Sequence, residues 1–244
     1  MKLCAICCEI LAREAARAAA HSPNIVHLAF LPSGLHSTPD KLRAGIQAEI
    51  DNASDGRFDY IVLGYGLCSR GTADLTARQT PIVIPRAHDC ITLLLGSRER
   101  YDREFTERPG TYYYSAGWIE HMDGDLSQGT LKPMKETQAE QRYLEYVEKF
   151  GEDNAKYLIE QEGLWLANYS RAALIDTGIG DIETYRRFTQ GVAESNAWEY
   201  EELQGDTRLV DILFAGDWAE DEFLIVQPGQ RTIEQVIGGI IAAE

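Results

Sequence analysis

Residues 60–71 read Tyr60-Ile-Val-Leu-Gly-Tyr-Gly-Leu-Cys-Ser-Arg-Gly71. The first four are aromatic, β-branched or aliphatic, the composition of a short buried strand. Glycines at 64, 66 and 71 then break the run and let the backbone turn sharply and approach a ligand closely. A cysteine sits just past the break. The same arrangement occurs twice more. Lys2-Leu-Cys-Ala-Ile-Cys-Cys8 is an apolar run ending at Cys8, and Pro81-Ile-Val-Ile-Pro-Arg-Ala-His-Asp-Cys90 ends at Cys90. If these three strands are parallel neighbours, their carboxyl ends share one edge, where open α/β sheets bind ligands.

The segments between them are helical. Residues 9–20 are strong helix formers. A strand over Asn24–Leu31 follows, then a helix from Thr38-Pro39-Asp40 to Ile50, with Thr38 as N-cap and Pro39 in the first turn. Ile91–Leu95 starts another helix, and Thr111–Ser115 reads as a further strand. Residues 121–135 lack periodicity. Glu136–Phe150 and Glu152–Trp165 form two helices divided at Gly151. Strand and helix then alternate again: Ala172–Ile175, Ile182–Asn196, Trp198–Leu203, Leu209–Phe214 and Phe223–Val226. The expected fold is α/β and Rossmann-like, a mostly parallel sheet with flanking helices. Its organisation reads as an N-terminal α/β half over 1–120, a helical bridge over 121–165 and a C-terminal α/β half over 166–244, or one continuous domain.

The chain has 244 residues, 44% hydrophobic and 25% charged, enough to bury a sizeable core. Its net charge of −16 disfavours non-specific nucleic-acid binding, which needs Lys and Arg against phosphates. No apolar run reaches the roughly 20 residues that span a bilayer. Glu9, Arg13, Glu14 and Arg17 follow the first apolar stretch too closely for a secretory signal. The expected location is therefore the cytoplasm, away from membranes. Five cysteines there point to metal binding, catalysis or burial rather than disulfides.

Cys8, Cys68 and Cys90 are the candidate metal ligands. Three soft donors without an evident fourth describe a metal with an open position. Cys8 stands where a helix begins, and the dipole there is expected to favour thiolate. Cys4 and Cys7 read mainly as core. Gly64, Gly66, Ser69 and Gly71 form a candidate cofactor-binding loop able to cradle a carboxylate or phosphate, although neither the Walker nor the dinucleotide spacing is present. His88, Asp89 and Arg86 are the candidate catalytic residues. His88 would donate a proton or complete a zinc site, Asp89 would orient it, and Arg86 would clamp a small anionic substrate. His36 is a further rim candidate. Tyr65 reads as a core aromatic. Asp176-Thr177-Gly178 and Gly216-Asp217-Trp218 could supply a carboxylate or simply cap helices.

Several stretches together also resemble a known family. They are Cys8-Glu9, Leu31-Pro-Ser-Gly-Leu-His36, Leu63-Gly-Tyr-Gly-Leu-Cys68 and Ile84-Pro-Arg-Ala-His-Asp-Cys-Ile-Thr-Leu-Leu-Leu-Gly-Ser97. Gly110-Thr-Tyr-Tyr113, Gly117-Trp118, Asn168-Tyr169, Ile175-Asp176 and Gly216-Asp217-Trp218 add to them. The chain resembles a bacterial and archaeal family known only as domain of unknown function 1638. The resemblance implies an association with corrinoid-dependent methyltransferase systems and one-carbon metabolism, but no mechanism.

Three functional readings remain open at this level. The first is a metalloenzyme, a lyase or methyltransferase in type. It would carry either an iron–sulfur cluster with an open iron, similar in principle to quinolinate synthase, or zinc. The second is a non-catalytic carrier of a metal, a corrinoid or a small molecule. The third is a metal-free enzyme with a cysteine nucleophile and His88 as base.

Overall fold

The computed structural model describes residues 1–123, 143–164, 168–235 and 240–244. Contacts divide the chain into two compact units. One comprises Met1–Asp102, Thr177–Ile179 and Gln204–Glu244, and the other Arg103–Asp176 and Gly180–Leu203. The division differs from the sequential halves read from the sequence, because the chain after residue 204 returns to the first unit.

The first unit is built on a five-stranded sheet. Its strands are β1 (Lys2–Cys8), β2 (Ile25–Leu31), β3 (Tyr60–Gly64), β4 (Ile82–Pro85) and β8 (Phe223–Val226), in the order β2-β1-β3-β4-β8. β1 pairs in parallel with β2 and β3, and β3 with β4. β8 lies antiparallel to β4. The fold is thus Rossmann-like with an antiparallel edge. β1 is central and buried from Leu3 to Cys8, which explains its unbroken apolar sequence. Two helices cover it, α1 (Ala12–His21) and α2 (Pro39–Ala53). α2 buries Leu42, Ile46, Ile50 and Ala53, one stripe at helical spacing. Pro39 stands in its first turn as expected, but Thr38 makes no side-chain cap. Its hydroxyl donates instead to the Leu35 carbonyl at 3.3 Å.

The strand order carries the functional consequence. From β1 the chain steps outward to β2, then crosses back over β1 to β3. Right-handed crossovers in opposite directions put their helices on opposite faces. The sheet therefore has its switch point between β1 and β3, and ligands bind such sheets there, at the carboxyl ends.

A two-stranded antiparallel hairpin, β9 (Thr232–Gln235) with β10 (Ile240–Ala243), completes this unit. Neither strand is evident from the sequence pattern. The helix Arg208–Ala215 ends at Gly216 in the left-handed region, and the Trp218 indole N–H donates to the Leu213 carbonyl. The Gly216-Asp217-Trp218 segment is thus a helix stop and turn. Thr177 donates to the buried Glu14 carboxylate at 2.7 Å.

The second unit holds β5 (Thr111–Tyr114), β6 (Arg171–Asp176) and β7 (Glu199–Gln204), in the order β5-β6-β7. The helix Ile182–Asn196 buries Tyr185, Phe188, Val192 and Ala193 in one core with Tyr114, Ile119, Ala172 and Leu174. Arg171 is 2% exposed and pairs with Glu104 at 3.0 Å. Residues 143–150 and Glu152–Leu164 are helical, with Gly151 between them at φ +81°. The remainder of the predicted loop and bridge, 124–142 and 165–167, lies outside the described residues.

Candidate functional site

β1, β3 and β4 end side by side, and the three cysteines read from the sequence follow those ends. Cys8 is the last residue of β1 and is buried. Cys68 lies four residues past β3, and Cys90 opens the short helix α3 (Cys90–Leu95) after β4. Cys68 and Cys90 are half-buried as residues. All five cysteines are free.

Two backbone hydrogen bonds lace the loops after β3 and β4. Leu67 N–H donates to the Ala87 carbonyl at 2.8 Å and Cys68 N–H to the His88 carbonyl at 2.9 Å. Gly66 is what permits this. A Cβ there would lie 2.6 Å from the Asp89 nitrogen and 2.7 Å from the Ala87 oxygen. The close approach anticipated at the glycine loop is therefore made to the chain itself. Gly64 likewise backs onto the Cys7 side chain, and Gly71 onto Leu42.

The loop after Gly66 is the most unusual piece of backbone in the site. Cys68, Ser69 and Arg70 have φ of 47°, 53° and 71°, three successive non-glycine residues in the left-handed region. Gly71 N–H closes the turn on the Cys68 carbonyl at 2.9 Å. Left-handed geometry costs about 1–2 kcal/mol per residue, so the turn stores roughly 3–6 kcal/mol that the rest of the fold offsets. Arg43 helps hold it, donating to the Arg70 carbonyl at 3.2 Å and the Ala73 carbonyl at 2.7 Å. Ser69, one of the candidate cradle residues, is exposed at the turn's tip.

The three thiols share one electrostatic environment. Burial pushes the Cys90 thiol well up, and Asp89, Cys8 and Cys68 push it further. Cys68 is raised by burial, then by Asp89 and Cys8. Cys8 is raised to about 11 by burial, with the Ile10 backbone hydrogen bond opposing and Glu9 adding to the rise. The helix start after Cys8 was expected to favour thiolate. Only a short 3₁₀ turn, Glu9–Leu11, follows it, and burial outweighs the opening amides. Cys7 is raised to about 12, chiefly by burial, and Cys4 is raised for the same reason. These are neutral thiols at neutral pH. Among the described residues, no three His, Cys, Asp or Glu side chains converge as a preformed cage for a single ion.

Asp89 is the N-cap of α3. Its Oδ1 accepts from Ile91 N–H at 2.9 Å and Thr92 N–H at 3.3 Å, and its Oδ2 from the Tyr101 hydroxyl at 3.1 Å. Burial raises it, against those hydrogen bonds and His88. The His88 ring is exposed and stacks on Tyr101, 5.2 Å between centroids. Arg86 is directed elsewhere. Its Nε donates to the Glu220 carbonyl at 2.8 Å and a terminal nitrogen to the Ile241 carbonyl at 2.5 Å. Arg70 pairs with Glu234 at 3.1 Å. Arg86, expected to clamp an anionic substrate, is thus engaged within the fold, while the charges felt at the thiols are carboxylates. At the other rim, Glu9 accepts from Ser33 N–H at 3.1 Å, and His36 Nδ1 lies 2.5 Å from the Ser33 carbonyl.

Tyr65, read from the sequence as a core aromatic, is buried as expected. It directly follows β3 and is 2% exposed, and among the described residues its hydroxyl has no hydrogen-bond partner. Burial and then Cys8, Cys7, Cys68 and Glu9 push its phenol far up. An apolar strand end flanked by glycines gives no sign that its aromatic carries an unsatisfied hydroxyl into a thiol cluster. The left-handed turn was hidden too, since Cys, Ser and Arg rarely adopt it.

A protein-family model described as "Protein of unknown function (DUF1638)" matches residues 30–213. That span contains Cys68 and Cys90 and leaves Cys8 outside it. No curated protein and no solved structure matches the chain.

Proposed function

This chain belongs to the DUF1638 family, and we propose that it is a metalloprotein of small-molecule metabolism whose site is Cys8, Cys68 and Cys90. The observation that carries the reading is the placement of three remote cysteines at or just past the carboxyl ends of the adjacent parallel strands β1, β3 and β4, with Cys8 and Cys68 both acting on the Cys90 thiol. A strained turn supports it, because left-handed residues persist where function over-determines them. Electrostatics supports it as well. Three thiolates beside Asp89 and Glu9 would form a strongly negative cluster, and only a cation makes their joint deprotonation favourable.

An iron–sulfur cluster suits this donor set better than zinc. Zinc–sulfur bonds of about 2.3 Å hold neighbouring sulfurs roughly 3.8 Å apart around a single ion. A cluster takes each thiolate on a different iron, so its ligands stand wider. The thiols sense one another without converging on one point. His88, the fourth ligand a zinc site would use, stacks on Tyr101 instead. A cluster with one iron free of protein ligands supplies a Lewis acid that polarises an oxygen of a bound small molecule. Asp89 and Tyr101 would then orient groups at the rim, with His88 available for proton transfer. Free thiols throughout suit a reducing cytoplasm. A metal-free nucleophile is disfavoured, since nucleophilic cysteines need a lowered pKa and these are raised.

The test is metal and sulfide content after purification without oxygen. About four irons and four sulfides per chain are expected, lost in Cys8→Ala, Cys68→Ala and Cys90→Ala and kept in His88→Ala. About one zinc, lost also in His88→Ala, would replace the cluster by a zinc–thiolate centre suited to methyl transfer. Metal-free protein in every preparation, with the variants folded, would overturn the reading.

A further inference from the structure

The Tyr65 hydroxyl is buried, lacks a hydrogen-bond partner among the described residues, and belongs to the residue after β3, whose end lies beside that of β1. Gly64, the last residue of β3, stands in register with Cys7 of β1. The next residue on each chain is Tyr65 and Cys8. A buried hydroxyl without a partner is destabilising unless another state of the protein supplies one. The acidic groups around this phenol are Cys8, Cys7, Cys68 and Glu9.

The geometry points to Tyr65 as a positioning residue that donates a hydrogen bond to the Cys8 or Cys68 sulfur once that sulfur is a metal-bound thiolate. The inference rests on the metal reading above. A protonated thiol is a weak acceptor. A thiolate is a charged acceptor in a dry site and draws any donor within reach. Each sulfur already has one backbone donor, Ile10 for Cys8 and Gly66 for Cys68. Tyr65 would add a side-chain donor. Hydrogen bonds to ligand atoms of this kind set how tightly a centre is held and where its potential lies.

Tyr65→Phe removes the hydroxyl and keeps the ring. Two readouts decide, and neither is catalytic. The first is metal retained per chain against time in excess EDTA, beginning from protein purified without oxygen. The variant is expected to begin with the same metal content and to lose it at least about tenfold faster. The second is the melting temperature of the metal-free proteins. The variant is expected to melt higher, since it no longer buries an unsatisfied hydroxyl. A hydroxyl with a purely structural role would instead lower that temperature and leave retention unchanged. Equal loss rates from two loaded proteins, or a lower melting temperature of the metal-free variant, would overturn this inference alone. No metal in wild type would overturn the metal reading and this inference with it.

Discussion

At the residue scale, the left-handed turn Cys68–Arg70 separates stability from function. Glycine adopts this region without the steric penalty of a Cβ, at the cost of greater freedom when unfolded. Ser69 is exposed, and its side chain makes no hydrogen bond that the turn depends on. Ser69→Gly is therefore expected to raise unfolding free energy by roughly 0.5–1 kcal/mol, read from urea denaturation midpoints, with metal content unchanged. Cys68→Gly relieves the same strain and removes a proposed ligand. It is expected to fold at least as well as Cys68→Ala and to carry no metal. A stable glycine variant that kept its full metal complement would remove Cys68 from the site. Cys68 and Ser69 both stood out in the sequence as candidate site residues. The strain did not, because it arises from the loop's attachment to the Ala87 and His88 carbonyls and to Arg43, contacts between segments far apart in the chain.

At the scale of elements, the site depends on how closely two strand-end loops lie. β1, β3 and β4 were legible because each is a continuous apolar run bounded by turn residues, the pattern of a strand buried on both faces. Their parallel adjacency followed from the alternation with helices. The lacing of the loops beyond them was not legible, since it is set by backbone atoms rather than residue types. Gly66→Ala tests the lacing directly. The new methyl would meet the Asp89 nitrogen and the Ala87 oxygen, both backbone, so neither neighbour can yield by a rotamer change. The loops must part, costing about 1–3 kcal/mol in line with other overpacked positions, and Cys68 and Cys90 move apart with them. Metal content should fall even though no thiol has been altered. Gly34→Ala is the control, with nothing within 4 Å of its added methyl. Thermal melts and metal analysis on both variants are sufficient, and equal behaviour would mean the lacing does not position the thiols.

At the scale of the whole molecule, the first unit is discontinuous. Its sheet is completed by β8 and its hairpin by β9 and β10, all from the last part of the chain. A local reading sees the strands near the start but cannot see that the chain returns. β9 and β10 are four residues each, and Thr232 is held by contacts to the distant Thr72 and Leu75 rather than by any pattern of its own. All three candidate ligands belong to this first unit. A ligand that binds only the folded state stabilises what it touches by mass action, and amide exchange resolves such stabilisation segment by segment. Stripping the metal is thus expected to speed exchange in β1, β3, β4 and α3, whose ends carry the thiols. The second unit, with β5, β6 and the helix Ile182–Asn196 on a core of its own, should exchange at the same rate in both forms. Hydrogen–deuterium exchange followed by mass spectrometry on loaded and stripped protein gives both rates in one experiment. Faster exchange confined to the first unit would tie the metal to the switch point between β1 and β3. Equal acceleration in both units would mean that the metal supports the chain at large, and the three-thiol site would lose its claim to it.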